Sequence, residues 1–405
     1  MFSTALEKKE GVGTPITTQT ARQMWSAVGS MAMCVALLIA SEFMPVSLLT
    51  PIAADLHATQ GMAGQAISIS GLFAVVTSVL IATLSGRFDR RQVLLVLTGL
   101  MALSLVLIAL AHNFVLLMVA RAVLGIAIGG FWSLATATVM RLVPEETVPK
   151  ALAAIYTGNA VATAFAAPIG SFLGGLIGWR GVFWALVPFA LLNLAWQWMS
   201  LPSLPPQGAN PVSKLVELLK RRYVALAMLG AMLTFSGAFT TFTYLRPFLE
   251  GVTKVSLPQL SLLLMCLGVA GFIGTYGAGM GIKNHLYGLL RWLPLTLCGV
   301  TLCLLLLGHS IWAVAPTLFL WGAINSAIPV CWSTWLAKAI SDEPESGGGL
   351  LVGAVQLSIL LGAALGGLLL DHLSIVATYL GGATLLVLAV LTVGNGKRIQ
   401  PASNV

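Results

Sequence analysis

Polar residues interrupt an otherwise apolar chain at regular intervals. Twelve mainly apolar runs stand between the interruptions, near 25–49, 63–85, 93–111, 114–139, 151–177, 183–199, 224–248, 259–281, 292–308, 311–336, 350–370 and 375–391. A helix needs about 20 such residues to cross the hydrocarbon core of a bilayer. The runs are too long and too uniformly apolar for the alternating strands of about ten residues in a membrane barrel. The pattern therefore predicts an all-α membrane protein of twelve transmembrane helices.

The longest polar interruption is "SLPSLPPQGANPVSKLVELLKRRY", residues 200–223. Its prolines and glycine exclude a continuous helix at first, and "VSKLVELLKRR" then reads as a short basic amphipathic helix lying on a membrane surface. It divides the chain into a tail (1–22), a six-helix bundle (23–199), a linker (200–222), a second six-helix bundle (223–392) and a second tail (393–405). An internal echo supports two halves: "FWSLATATVMRLVPEETVPKA" and "CWSTWLAKAISDEPESGGG" each run from Trp-Ser through a polar helix end into an acidic, proline-containing loop. Parallel repeats of this kind are one plan for transporters whose substrate sites lie near the midplane.

Composition agrees, with 58% hydrophobic and 8% charged residues against about 25% charged in soluble domains. With the N-terminus placed in the cytoplasm, 17 of the 21 Lys and Arg fall on that side. Only Arg180, Arg246 and Lys254 fall outside or at the outer boundary, and Arg121 lies within a run. This positive-inside bias predicts that both termini are cytoplasmic. The net charge of +8 is spread over separate loops and predicts no nucleic-acid partner. The five cysteines all fall inside runs, at no metal or disulfide spacing, and read as small packing residues. The five histidines are scattered in loops and near run ends without a His-Glu-x-x-His context, so no metal site, cofactor or enzyme active centre is expected. The first apolar run is too long for a cleaved signal.

Two charges interrupt the runs themselves. Glu42 lies in "LLIASEFMPVSLLT" and Arg121 in "LMVARAVLGIAIGGFW". A charge at the bilayer centre costs at least about 2.5–3.5 kcal/mol. Counting from the outer ends at about 1.5 Å per residue puts both roughly 10–12 Å deep, so each can offset the other's desolvation. The pair reads equally as a structural ion pair or as a protonation switch. Pro45 lacks an N–H, which leaves the Ser41 carbonyl without its helical donor beside the carboxylate. Helical spacing then aligns further polar and aromatic positions: Arg121 with Trp132, Tyr156 with Asn159, Thr241 with Tyr244, and Trp321 with Asn325 and Trp332, while Gln356 is the one amide of its run. Taken singly these residues read as interhelical hydrogen-bonding or packing groups, and as a set they read as a cavity lining. Trp132 and Trp332, equivalent in the two repeats, are candidates to contact a flat ligand, with Asn159, Asn325 and Gln356 as hydrogen-bonding partners.

Several stretches together resemble the major facilitator superfamily. "SGRFDRRQVLLV" (85–96) resembles its signature loop, "RAVLGIAIGG" (121–130) its buried-arginine motif, and "APIGSFLGGLIGWRGVF" (167–183) the proline-glycine motif of its antiporters. "SEFMPVSLL" (41–49) is similar to the first span of the drug and sugar efflux branch. The resemblance implies the two-bundle major facilitator fold and a gating role for Gly86, Asp89, Arg90 and Arg91. "EFMPVSLLTPIAADL", "GGFWSLATATVMRLVPEETVPKAL", "FTYLRPFL" and "CWSTWLAK" are similar to proton-driven exporters of purine ribonucleosides within it. That implies antiport of a neutral nucleoside of the inosine or guanosine type against protons. The protein is expected to be a monomer in a bacterial inner membrane. Glu42 and Arg121 would serve proton coupling. A broader drug or sugar exporter of the same superfamily is the alternative.

Overall fold

The computed structural model describes residues 21–84, 87–206, 213–340 and 342–400. Among them the regular structure is helical throughout. Span 1 is Ala21–Ser47, span 2 Gln60–Leu84, span 3 Arg90–Ala109 and span 4 Phe114–Leu142. Val148–Ser200 follows as 53 residues of nearly continuous helix. At about 1.5 Å per residue it would be more than twice as long as a hydrocarbon core of about 30 Å. Gly178 breaks it with φ 73° and ψ 163°, a conformation open only to glycine, and so separates spans 5 and 6. The outer loop expected around 178–182 is reduced to this single turning residue.

The second half repeats the plan. Ser213–Lys220 is a short helix, and span 7 is Arg222–Thr243, followed beyond Tyr244 by Leu245–Phe248 and a wide turn over Leu249–Thr253. Leu257–Leu307 contains span 8 (Leu257–Ile282) and span 9 (His285–Leu307), which meet at a kink at His285. Span 9 therefore begins at His285 and not near 292, because "HLYGLLR" winds as helix although it is not uniformly apolar. Spans 10, 11 and 12 are Ile311–Ala339, Pro344–His372 and Ile375–Val393. Among the described residues eleven helices are long and apolar enough to cross a membrane, and the Gly178 break makes twelve passes of them.

Each half buries its own hydrophobic core. The halves meet along two seams, span 2 against span 11 and span 5 against span 8. A few residues cross over: Val46, Ile67 and Ala167 join the C-terminal core and Tyr244 joins the N-terminal one. We call the end that carries Ala21 and Gln400 the near end, and the opposite one the far end.

The seam is closed at the far end. Thr59 Oγ1 donates to Asp371 Oδ2 (2.5 Å) and the Gly61 amide to Asp371 Oδ1 (3.0 Å), so an acid ending span 11 caps the first turn of span 2. Arg246 donates to the Ser47 carbonyl, and Ser261 bonds Ser171 (3.1 Å). Deeper in, Ser68 donates to the Leu360 carbonyl (3.2 Å). These side-chain hydrogen bonds join the bundles at the far end and just below it. Towards the near end the seam is less closely packed: Gly279 of span 8 and Gly349 of span 11, on the helix faces that meet the other bundle at Gly268 and Leu360, face open space.

Candidate functional site

The site begins with the kink in span 1. Pro45 has no N–H to give Ser41, and the Ser41 carbonyl is taken up by Arg121, whose Nη1 donates to it at 2.8 Å. Nη2 of Arg121 donates to the Glu42 carbonyl (3.3 Å) and Nε to the Ala66 carbonyl (2.8 Å). The guanidinium is fully buried and fastens spans 1, 2 and 4 together through main-chain oxygens. Span 4 comes this close because Gly125 and Gly129 lie against the Ser70 and Ala74 carbonyls, where a Cβ would collide.

The Glu42 side chain is buried, and no ion pair joins it to Arg121. Equal depth, expected to bring two side chains together, instead brings a guanidinium to a backbone. The carboxyl stays within electrostatic reach of Arg121 and approaches the Gln356 side chain across the seam. Its Oε1 is buried without a hydrogen-bond donor, and so is Oε1 of Gln356. Gly71 lets span 11 come in at this level, against the Gln356 main chain. Beside Glu42, Phe43 stacks on Phe239 (centroids 5.7 Å) and meets Phe242 edge-on, while Phe242 stacks on Trp321 (6.2 Å). An acid, an amide and a row of aromatics thus sit where the closed part of the seam ends.

The other expected site residues divide into two groups. Trp132 and Tyr156 face each other at 6.1 Å, the first half-buried and the second exposed. Asn159 and Asn325 are half-buried, and neither amide bonds another described residue. Trp332, Trp321, Thr241 and Tyr244 are buried inside packing contacts. Trp332 packs edge-on against Trp335 (6.0 Å) within the C-terminal core. Trp321 donates to Thr301 Oγ1 (3.1 Å), Thr241 lies against Gly382, and the Tyr244 hydroxyl donates to the Ala363 carbonyl (2.7 Å) with its ring against Gly64. The aromatic clamp across two equivalent tryptophans is therefore not assembled: span 10 turns Trp332 into its own bundle.

Of the signature loop, Gly86 lies outside the described residues. Asp89 caps span 3 by accepting from the Arg91 amide (2.8 Å), and it also accepts from the Leu204 amide (2.9 Å) and the Ser203 hydroxyl. The Arg90 amide donates to the Leu204 carbonyl (3.0 Å), and the Arg91 side chain to the Trp198 carbonyl (2.6 Å). The loop thus clasps the chain leaving span 6. Burial alone would raise the Asp89 carboxyl; the Ser203 hydroxyl, the two amides and the Arg91 charge outweigh it and hold it below the usual carboxylate range.

Sequence reasoning missed Phe43 and the Asp371–Thr59 latch. Phe43 reads as one more apolar residue. Asp371 ends the glycine-rich apolar stretch "GAALGGLLLD", and its partners lie more than 300 positions earlier.

Two six-helix bundles that meet on a seam, tight at one end and loose at the other, with unpaired polar groups at its midpoint, define a membrane transporter. The chain belongs to the Major Facilitator Superfamily, whose family model matches residues 31–343. It is 48% identical over 93% of its length to the transcription regulatory protein OpdE of Pseudomonas aeruginosa, covering 95% of that protein. It is 38% identical over 95% of its length to the purine ribonucleoside efflux pump NepI of Salmonella typhimurium, covering 96% of it. Among solved structures, a bacterial homologue of the human lysosomal transporter Spinster, inward-facing and occupied, matches with a TM-score of 0.73 at 15% identity, covering 92% of this chain and 95% of that one. The unoccupied inward-facing form matches with a TM-score of 0.68.

Proposed function

We propose that this protein exports purine ribonucleosides of the inosine or guanosine type from the bacterial cytoplasm, by antiport with protons through alternating access. The near end is then cytoplasmic, in keeping with the bias of Lys and Arg, and the loosened seam is an inward-facing state. The substrate class rests on the full-length likeness to NepI. Trp132, Tyr156, Asn159 and Asn325 offer ring faces and free amides of the kind that stack on a base and read its polar edges.

The observation that carries proton coupling is the deficit at Glu42 and Gln356. Oε1 of Glu42 and Oε1 of Gln356 are each buried without a hydrogen-bond partner, on side chains that approach each other across the seam. One proton on the carboxyl supplies the donor and removes a charge from a low-dielectric site. Loss of that proton towards the cytoplasm restores a carboxylate that favours an arrangement with more water around it, which biases the seam. Arg121 keeps its three carbonyl contacts throughout. The regulatory name of OpdE is compatible with this reading, since a change in internal nucleoside level is itself a signal.

Counterflow of labelled inosine in proteoliposomes under imposed pH gradients tests the proposal. Wild type concentrates inosine against its gradient only when a proton gradient is imposed; Glu42→Gln exchanges inosine but does not concentrate it. A Gln variant that still concentrates inosine removes Glu42 as the proton carrier. Absence of inosine counterflow alongside transport of other compounds would favour the broader drug or sugar exporter.

A further inference from the structure

A second polar feature lies at the near end of the C-terminal bundle, away from the seam. After span 12 the chain reverses through Gly394 (φ 59°) and Gly396 (φ 83°), left-handed conformations that other residues rarely adopt. The reversal returns Lys397–Ile399 to the bundle, where Ile399 is fully buried and its carbonyl accepts from Trp335 Nε1 (2.8 Å). This stretch of the tail is thus fastened to the core. One result is that Lys397 and Arg398 are held beside Arg222, the first residue of span 7.

These three cations, with Tyr223, Leu226 and Gln400, line a hollow of about 650 Å³. Among the described residues no acidic side chain lines it, and none of the three forms an ion pair. Their neighbour Arg221 is treated differently, being paired with Asp342 at 2.7 Å. Among the described residues one arginine is neutralised and three adjacent cations have no ion-pair partner, although like charges gathered this way repel one another. The position is also informative. Arg222 stands at the end of a membrane span, so the cations lie at headgroup level, while Leu226, one turn along span 7, gives the hollow an apolar wall on the bilayer side.

We propose that this hollow binds the phosphate-bearing headgroup of an anionic phospholipid, such as phosphatidylglycerol, from the leaflet at the near end. Arg222, Lys397 and Arg398 take the phosphate, Gln400 takes the polar remainder of the headgroup, and an acyl chain runs along Leu226. A basic surface charge contributes roughly fivefold to anionic-lipid binding, so three of them together select strongly against zwitterionic lipid.

The test uses the purified full-length protein in a neutral detergent, titrated with phosphatidylglycerol, phosphatidylcholine or inorganic phosphate. Retained lipid is counted by native mass spectrometry, and stability is followed by thermal melting. Wild type retains phosphatidylglycerol in preference to phosphatidylcholine, and R222Q/K397Q/R398Q loses that preference at least tenfold. Lys150→Gln, a change at an exposed cation of the N-terminal bundle, leaves it unaltered. If the triple variant does not fold, K397Q alone, at an exposed side chain, shows a loss of about fivefold. Equal retention of the two lipids overturns the proposal, as does an unaffected triple variant. Competition by millimolar inorganic phosphate that matches the lipid's stabilising effect would also overturn it, by assigning the hollow to a soluble phosphate compound.

Discussion

The two bundles carry the same skeleton and different chemistry. The N-terminal bundle buries a carboxyl and a guanidinium at its centre, whereas at the corresponding seam the C-terminal bundle offers Gln356 and the aromatics Phe239, Phe242 and Trp321. The Trp-Ser pair that marks both repeats makes the contrast sharper. Trp132 is half-buried beside an exposed Tyr156, while Trp332 is sealed against Trp335. Duplication preserved where the helices run, and each half then turned its faces separately. One bundle holds the group that can change charge and the other supplies neutral surface for it to meet.

The largest effect should come from removing the buried acid Glu42 on the charged side. Glu42→Gln should abolish accumulation driven by a pH gradient and leave the melting temperature close to wild type, because glutamine keeps the shape and brings its own donor to Gln356. Arg121→Ala should be the reverse in kind. It strips the Ser41 carbonyl of its only outside donor and opens a cavity, costing at least about 1–3 kcal/mol for the orphaned oxygen alone, read as a fall in melting temperature. A double-mutant cycle on stability between positions 42 and 121 should then give a small coupling, since the carboxyl is not what holds the arginine; a coupling of several kcal/mol would contradict the main-chain assignment.

The tryptophans break the symmetry in a measurable way. Trp332→Ala should cost about 3–5 kcal/mol of stability, as for large core aromatics, and change inosine affinity little in protein that remains folded. Trp132→Ala should weaken inosine binding roughly 5- to 150-fold with a smaller loss of stability. If the two variants behave alike in both assays, the contrast between the halves is wrong at this position.

Smaller still is the far-end latch. Asp371→Asn keeps one acceptor but loses the charge at the N-terminus of span 2, and should shift the balance away from the far-end-closed state by about tenfold, measured by spin labels placed across the seam. The mildest expectation concerns Asp89. Its carboxyl is held below the usual range in the folded protein, so its contribution is present above an unfolded value of about 3.9 and disappears as pH falls through the lower folded value. Acid below about pH 4 should loosen the clasp on Ser203 and Leu204, seen as faster proteolysis of the linker, and Asp89→Asn should make cleavage independent of acid.

Most of the fold was legible because a bilayer demands long apolar runs, and these stand out in any chain. Break points were less so. The turn at Gly178 takes one residue where a loop was expected, and 285–291 winds as helix because a polar stretch at a membrane boundary is free to do so. Within the site, residue counting put Glu42 and Arg121 at one level, and Arg121 does reach the main chain at 41 and 42, while Pro45 pointed to the free Ser41 carbonyl. Counting could not find that Arg121 would take that carbonyl, because depth along two helices says nothing of the direction in which long side chains reach. The fate of Trp332 was illegible for a related reason: its helical face is known, but the rotation of span 10 relative to its neighbours is set by packing among distant residues. The Asp371–Thr59 contact joins positions more than 300 apart and leaves no local trace.

The grip of Arg121 on three carbonyl oxygens has an evolutionary consequence. Every residue type presents the same backbone oxygen, so substitutions at 41, 42 or 66 leave the arginine's anchorage intact. Position 42 is thereby released from structural duty. If Glu42 carries the proton as proposed, a lineage could replace its carboxyl in one step, turning a concentrating pump into a passive exchanger or back, without first rebuilding the helices around it. Selection can act on the energy source of this transporter separately from its architecture.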